Sequence, residues 1–226
     1  MRLSYYLHME EMQVFPTCVA VVADIVSSRA SDRGQSHTHV LDAIAQTNAN
    51  IAQLDPLRVT VGDEIQGVYA TLGDAFAATF TLRNLLAGHV DLRFGIGVGE
   101  VRIIDAKRGI QDGSAWVLAR EAIEAVERQS HEPGRRGLRT AVRDDSPSAN
   151  PLVEPAAQLI DAHLAALGAG ARASFSALYE GLDNQQAAER LGITASANSQ
   201  RVNNTQLRPL LAMAQALTAL GDTGKK

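Results

Sequence analysis

An unbroken apolar run, Val19-Ala20-Val21-Val22-Ala23, ends in Asp24-Ile25-Val26. It predicts a strand buried on both faces, with Asp24 where the chain leaves the sheet. Val40-Leu41, Ile44, Thr47-Asn48 and Ile51 then recur at helical spacing and predict a helix over 36–53, ended by Asp55-Pro56. Two β-favouring runs, 59–61 and 65–69, flank Gly62-Asp63. That dipeptide predicts a tight hairpin, since Gly tolerates positive φ and Asp can bond its own backbone. Gly73-Asp74 opens a second helix with Phe76, Phe80, Leu82 and Leu85-Leu86 as its stripe and Gly88 as its stop. A third strand, 92–101, carries Gly95, Gly97 and Gly99 at alternate positions, which predicts the close approach of a backbone or a ligand. Residues 103–113 read as a loop region. Ser114 then caps a helix to about residue 129, with Trp116, Leu118-Ala119, Ala122-Ile123 and Val126 inward. Strand, helix, hairpin, helix, strand is the βαββαβ ferredoxin-like order.

The pattern changes after this helix. Residues 138–142 form one short final element, and the Asp-, Ser- and Pro-rich 144–153 reads as a linker. From Val153 the chain is Ala-rich and helical in period. Leu159-Ile160, His163-Leu164 and Leu167 make one stripe; Phe175, Leu178 and Tyr179 make another. A tail helix after Pro209, with Leu210-Leu211, Met213-Ala214 and Leu217, favours self-association. The expected organisation is an N-terminal extension (1–16), an α+β ferredoxin-like domain (17–143), a linker (144–153), an all-α helix-turn-helix domain (154–220) and a disordered tail (221–226).

Three motifs carry chemistry: Ala23-Asp24-Ile25-Val26, Thr60-Val61-Gly62-Asp63-Glu64, and Arg93-Phe94-Gly95-Ile96-Gly97-Val98-Gly99-Glu100. In this order they resemble the catalytic domain of class III nucleotidyl cyclases. The wording Gly-Asp-Glu-x-Gln-Gly, with Asp-Ile-x-x-Ser-Arg, is similar to the SatD family of bacterial proteins. The cyclase resemblance implies a homodimer with its site at the subunit interface. It also implies Mg²⁺ on Asp24 and Asp63, as suits carboxylates on a rigid turn. A ligand's phosphates would lie along Ile25, Ser27, Ser28 and Arg29, at the strand-to-helix turn where backbone N–H groups suit anions. Arg120 matches the arginine that stabilises developing phosphate charge. Two positions depart: Trp116 stands where an Asn orients the ribose, and Val59 where a Lys selects the base.

Residues 182–202 resemble the helix-turn-helix of sigma-factor region four and LuxR-like regulators. Ala187-Ala188 would give the helix crossing, Gly192 the turn, Ile193 its plug and Thr194 the cap of the second helix. That helix would enter the major groove of double-stranded DNA with Thr194, Ser196, Ser199, Gln200, Arg201 and Asn203 as contacts, Arg190 and Arg208 adding phosphate bonds. Asn198 sits where a buried Val is usual. The arginines at 135, 136, 139 and 143 read as a phosphate contact, of DNA or of a ligand, or as a solvated edge.

Composition narrows this little. Lys+Arg total 21 against 25 Asp+Glu, so a net charge of −4 argues against indiscriminate nucleic-acid binding but leaves a local basic face open. The one cysteine, Cys18, excludes an internal disulfide and reads as a small core residue. No apolar run approaches the ~20 residues of a membrane span, and the N-terminus lacks a signal peptide's pattern, so a cytoplasmic location is expected. Three functions stay open. One is a DNA-binding transcriptional regulator with a domain sensing a nucleotide or phosphorylated small molecule. The second is a nucleotidyl cyclase or related transferase, and the third a dimerisation scaffold.

Overall fold

The computed structural model describes residues 13–26, 33–60, 62–105 and 108–221, with the main chain only at 33–36. Ser27, Ser28 and Arg29, expected along a ligand's phosphates, lie outside the described residues. Among those described, six strands form one sheet: β1 (Gln13–Ile25), β2 (Asp55–Val59), β3 (Ile65–Tyr69), β4 (Leu92–Asp105), β5 (Ile110–Asp112) and β6 (Thr140–Asp144). The order β2-β3-β1-β4 is antiparallel throughout, with helices α1 (Arg33–Asn50) and α2 (Leu72–Leu85) between its strands. This is the βαββαβ arrangement the sequence predicts. β6 adds in parallel to β4, after helix α3 (Ser114–Ser130).

The strand alternation sorts two layers. Val19, Val21 and Ala23 of β1 join the core under α1 and α2, while Cys18, Ala20 and Val22 join Ala115, Ala119 and Ile123 of α3 on the other face. The glycines of β4 are what admit α3. A Cβ on Gly95 would lie 2.6 Å from Ile123 N, and one on Gly99 would lie 2.8 Å from Ala115 N. The close approach foreseen at these glycines is therefore made by a backbone, that of α3. Cys18 is fully buried; burial chiefly pushes its thiol up to about 11, so it stays protonated at neutral pH.

Several boundaries move. β1 begins at Gln13, inside the expected extension, and a bulge between Phe15 and Cys18 absorbs Pro16, which has no N–H to pair. Asp55-Pro56 starts β2 at the sheet edge rather than ending α1, where a missing donor is tolerated. The hairpin after β2 is a longer loop, closed by Thr60 N–H on the Glu64 carbonyl at 2.8 Å. Part of the expected loop at 103–113 is strand, because β4 runs on to Asp105 and pairs with β5. Gly113, at φ +138°, takes the cap position before α3, and Ser114 Oγ instead accepts from Glu100 N–H at 3.0 Å.

Among the described residues five helices follow: α4 (Val153–Ala166), α5 (Ala169–Tyr179), α6 (Asn184–Arg190), α7 (Ala195–Asn204) and α8 (Leu207–Thr218). Buried residues of α4, α5, α7 and α8, among them Val153, Ile160, Phe175, Val202, Leu210 and Leu217, belong to the same apolar cluster as α2. Leu220 O accepts from Gly73 N–H at 2.8 Å, so the end of the helical part closes on the start of α2. Leu159, read as part of the buried stripe, is 63% exposed. α8 starts before Pro209, which lies in its first turn where a missing N–H breaks nothing. The buried face of α8, Leu207, Leu210, Ala214 and Leu217, is spent within the chain. No helix among the described residues is long and apolar enough to cross a membrane.

Candidate functional site

Asp24 continues the series Cys18, Ala20, Val22 and so faces α3. The antiparallel register sets it opposite Arg93, whose side chain is only 10% exposed. Arg93 Nε and Nη2 each donate to one Asp24 oxygen at 3.0 Å, and Nη2 also lies 3.1 Å from Glu127 of α3. Burial works against the Arg93 charge, but Asp24 and Glu127 more than offset it and raise its pKa above the usual value.

A second pair stands beside the first. Arg120, one α3 turn before Glu124, donates twice to Glu64, the Nη2 bond being 2.8 Å. Gln66, two residues along β3 from Glu64, adds a bond to it at 2.7 Å. The bonds from Arg120 chiefly hold the Glu64 carboxyl below its ordinary range, against an opposing effect of burial. Arg120 in turn is raised by Glu64 first, and also by the charges of Glu124 and Asp24. The two ion pairs thus form one cluster where the ends of β1, β3 and β4 meet α3.

The cluster brings Asp24 and Arg120 together with Arg93, Glu64 and Glu127. Arg93 and Glu64 lie inside quoted motifs, but the register that pairs Arg93 with Asp24 is non-local and leaves no mark in the spacing. Ile25 ends β1 beside this cluster with its side chain against the opposite core. Asp63 stays on the turn, exposed. Trp116 packs at the edge of the α3 layer, and its Nε1–H is buried without a partner among the described residues. As a Mg²⁺ donor set the arrangement does not fit, because both Asp24 oxygens are held by Arg93; a cation would have to draw Asp24 away. No group of three His, Cys, Asp or Glu placed to hold a metal occurs among the described residues. What the cluster offers chemically is a guanidinium, on Arg120, whose side chain is 48% exposed and whose carboxylate partner an incoming anion can displace.

Arg120→Ala is expected to lower stability by no more than about 1 kcal/mol at neutral pH, since the pair is half open to water. Glu64 sits below its ordinary 4.5 when folded. The pair therefore stabilises above that value and is lost as pH falls through the folded value. Urea midpoints of both proteins near neutrality and at about pH 3 check it: the gap should narrow in acid, and a gap that does not narrow there would rule out Glu64 as the partner.

In the helical part, Asp183 and Gln186 form a reciprocal cap at the start of α6, and Thr194 Oγ1 accepts from Ala197 N–H at 3.1 Å at the start of α7. Gly192, at φ +65°, makes the turn between them. Asn198 is fully buried and satisfied: Oδ1 accepts from Ser174 Oγ at 2.8 Å, and Nδ2 donates to Asn184 Oδ1 at 3.0 Å. A polar network to α5 and α6 thus replaces the apolar contact a Val would make. Thr194, Ser196, Gln200 and Asn203 are exposed and Ser199 is half-buried. Arg201 leans on Gly170 O at 3.4 Å, and Arg190 pairs with Glu180.

A model of the SatD family matches residues 18–220. The chain belongs to the SatD family. No curated protein matches it. Among solved structures, it is similar to the catalytic core of a rhodopsin-guanylyl cyclase with converted specificity in complex with ATPαS, at 16% identity and a TM-score of 0.34. That match covers 50% of this chain and 74% of the other. A double mutant of the guanylyl cyclase domain of the RhoGC fusion protein, from the aquatic fungus Blastocladiella emersonii, matches at 15% identity and a TM-score of 0.34, over 48% of this chain and 74% of the other. At these values the likeness carries nothing about activity. For this SatD-family chain the cyclase-like sheet is read from its own strand order.

Proposed function

We propose that the chain is a DNA-binding transcriptional regulator whose sheet domain senses a nucleotide or a related phosphorylated small molecule. The observation that supports it most is the outward face of α7. Ser196, Gln200 and Asn203 are exposed, and their side chains take no hydrogen-bond partner among the described residues. The helix beneath them is fixed by the Thr194 cap and the buried Asn198 network. A rigid helix with free amides suits adenine edges in the major groove. Arg201 and the exposed Arg208 would supply the phosphate contacts. Two copies about a two-fold axis would set two such helices one DNA turn apart. On the sensing side, a ligand phosphate would take Arg120 from Glu64.

Fluorescence anisotropy against a genomic fragment library tests the DNA half. Gln200→Ala and Asn203→Ala should each relax discrimination by about 1–3 kcal/mol at one base pair. Arg208→Ala should weaken all sequences alike and lower the salt slope by about 1. Absence of any sequence-preferring binding across salt conditions would sink the proposal. Cyclic product from a nucleoside triphosphate and Mg²⁺, lost in Asp63→Ala, would instead make the chain a cyclase.

A further inference from the structure

A cavity of about 540 Å³ opens on the sheet face opposite α3. It lies between the end of α2 with its following turn, the loop before β6, and helices α4 and α5. Its volume is that of a small-molecule site rather than a packing defect. Its apolar wall is aromatic and aliphatic: Phe80, Phe175, Tyr179, Ile160 and Leu164.

Its polar wall is cationic. Four arginines line it, Arg83, Arg136, Arg139 and Arg172, against one lining carboxylate, Asp91. Two of the four are neutralised, Arg83 by Asp161 and Arg139 by Asp91 at 2.8 Å. Arg136 and Arg172 are exposed and have no carboxylate partner among the described residues; Arg172 donates only to Leu164 O at 2.9 Å. Two uncompensated guanidiniums therefore face one cavity in a chain whose net charge is −4. The walls are held independently of any ligand. A Cβ on Gly137 would lie 2.6 Å from Ala165 Cβ, so the loop sits tight on α4, and Asn84 Nδ2 bonds Glu180 at 3.2 Å across α2 and α5.

We propose that this cavity binds a small organic dianion, a phosphate monoester carried on a flat apolar body. The phosphate lies between Arg136 and Arg172, whose planar forks match its oxygens. The body lies on Phe80, Phe175 and Tyr179. The site is separate from the Arg120 cluster and stands whether or not that cluster binds anything. It also touches α5, whose Ser174 holds Asn198 of α7, so a ligand here lies one helix from the proposed DNA-reading face.

Calorimetric titration of the full chain with 1-naphthyl phosphate tests it, with 1-naphthol and inorganic phosphate as the two halves. The intact probe is expected to bind at least tenfold more tightly than either half. Arg136→Glu with Arg172→Glu should weaken it a further tenfold or more; both residues are exposed, and an unchanged melting temperature without ligand confirms the fold. Should the double variant fail to fold, either single charge reversal carries the same expectation. Arg128→Glu, at an exposed arginine of α3 away from the cavity, should leave the affinity unchanged. No binding of the probe, equal binding of naphthol, or indifference to the Arg136 and Arg172 reversals overturns the proposal. Affinity that is lost in Arg120→Ala overturns it too, and moves the anion to the other face.

Discussion

Asp161→Ala is expected to destabilise the chain by about 3 kcal/mol or more, because it strands a charge in the interior. Asp161 is fully buried on α4, and the hydrogen-bond partners of its carboxylate lie outside that helix. It pairs with Arg83 of α2, accepts from Arg139 N–H at 2.7 Å and lies 3.3 Å from Thr140 Oγ1 at the start of β6. Truncation leaves the Arg83 guanidinium, 17% exposed, without its counter-charge, and leaves a buried backbone donor and a hydroxyl short of an acceptor. Since the penalty is the unpaired charge, removing that charge should give part of it back. The double variant Asp161→Ala, Arg83→Met is expected to be more stable than Asp161→Ala alone. Urea denaturation of both decides it. If the second change makes matters worse by its full separate effect, the two residues are not coupled and the large loss has another source.

Asp161 also shows where sequence reading stops. An acid within a helical stripe reads as solvent-facing, and its partner Arg83 lies 78 positions away, so no local spacing marks the pair. The same limit hid the pairing of Asp24 with Arg93, 69 positions apart, although both stood inside quoted motifs. What was legible is what depends on local period. The apolar run of β1 gave a two-sided strand with Asp24 at its end. The order of strands and helices gave the antiparallel sheet, and alternate glycines gave a close approach, though not its partner. The inward face of α3 was legible from its stripe. β5 was missed because three residues with exposed ends carry no alternation to count. The cavity was beyond reach for a plainer reason, its walls coming from four segments that meet only in the fold. The arginines at 135, 136, 139 and 143 were visible as a charge cluster, but which of them keep a free guanidinium is set by Glu132, Asp91 and Glu154.

Gly97→Ala is expected to cost about 3 kcal/mol and to disturb the Arg120 cluster as well. A Cβ at this position would fall on the backbone of Ala115 and Ala119 and 2.9 Å from the Leu118 carbonyl carbon. Backbone cannot swing aside as a side-chain tip can, so α3 must rise from the sheet as a unit. Ala115, Ala119 and Ile123 would then lose contact with Cys18, Ala20 and Val22. Gly88→Ala is the control. Gly88 has φ +85° with open space at its Cβ position, so its substitution carries only the left-handed backbone penalty of about 1–2 kcal/mol. The larger loss should therefore be at Gly97, although its backbone is ordinary strand. The same helix carries Arg120 and Glu127 to their partners, Glu64 just before β3 and Arg93 on β4. Lifting it lengthens the Arg120–Glu64 bonds, so in a Gly97→Ala background the further change Arg120→Ala should lose its pH-dependent effect. A full Arg120 effect retained in that background would mean that the strand, not the helix, yields to the new methyl group.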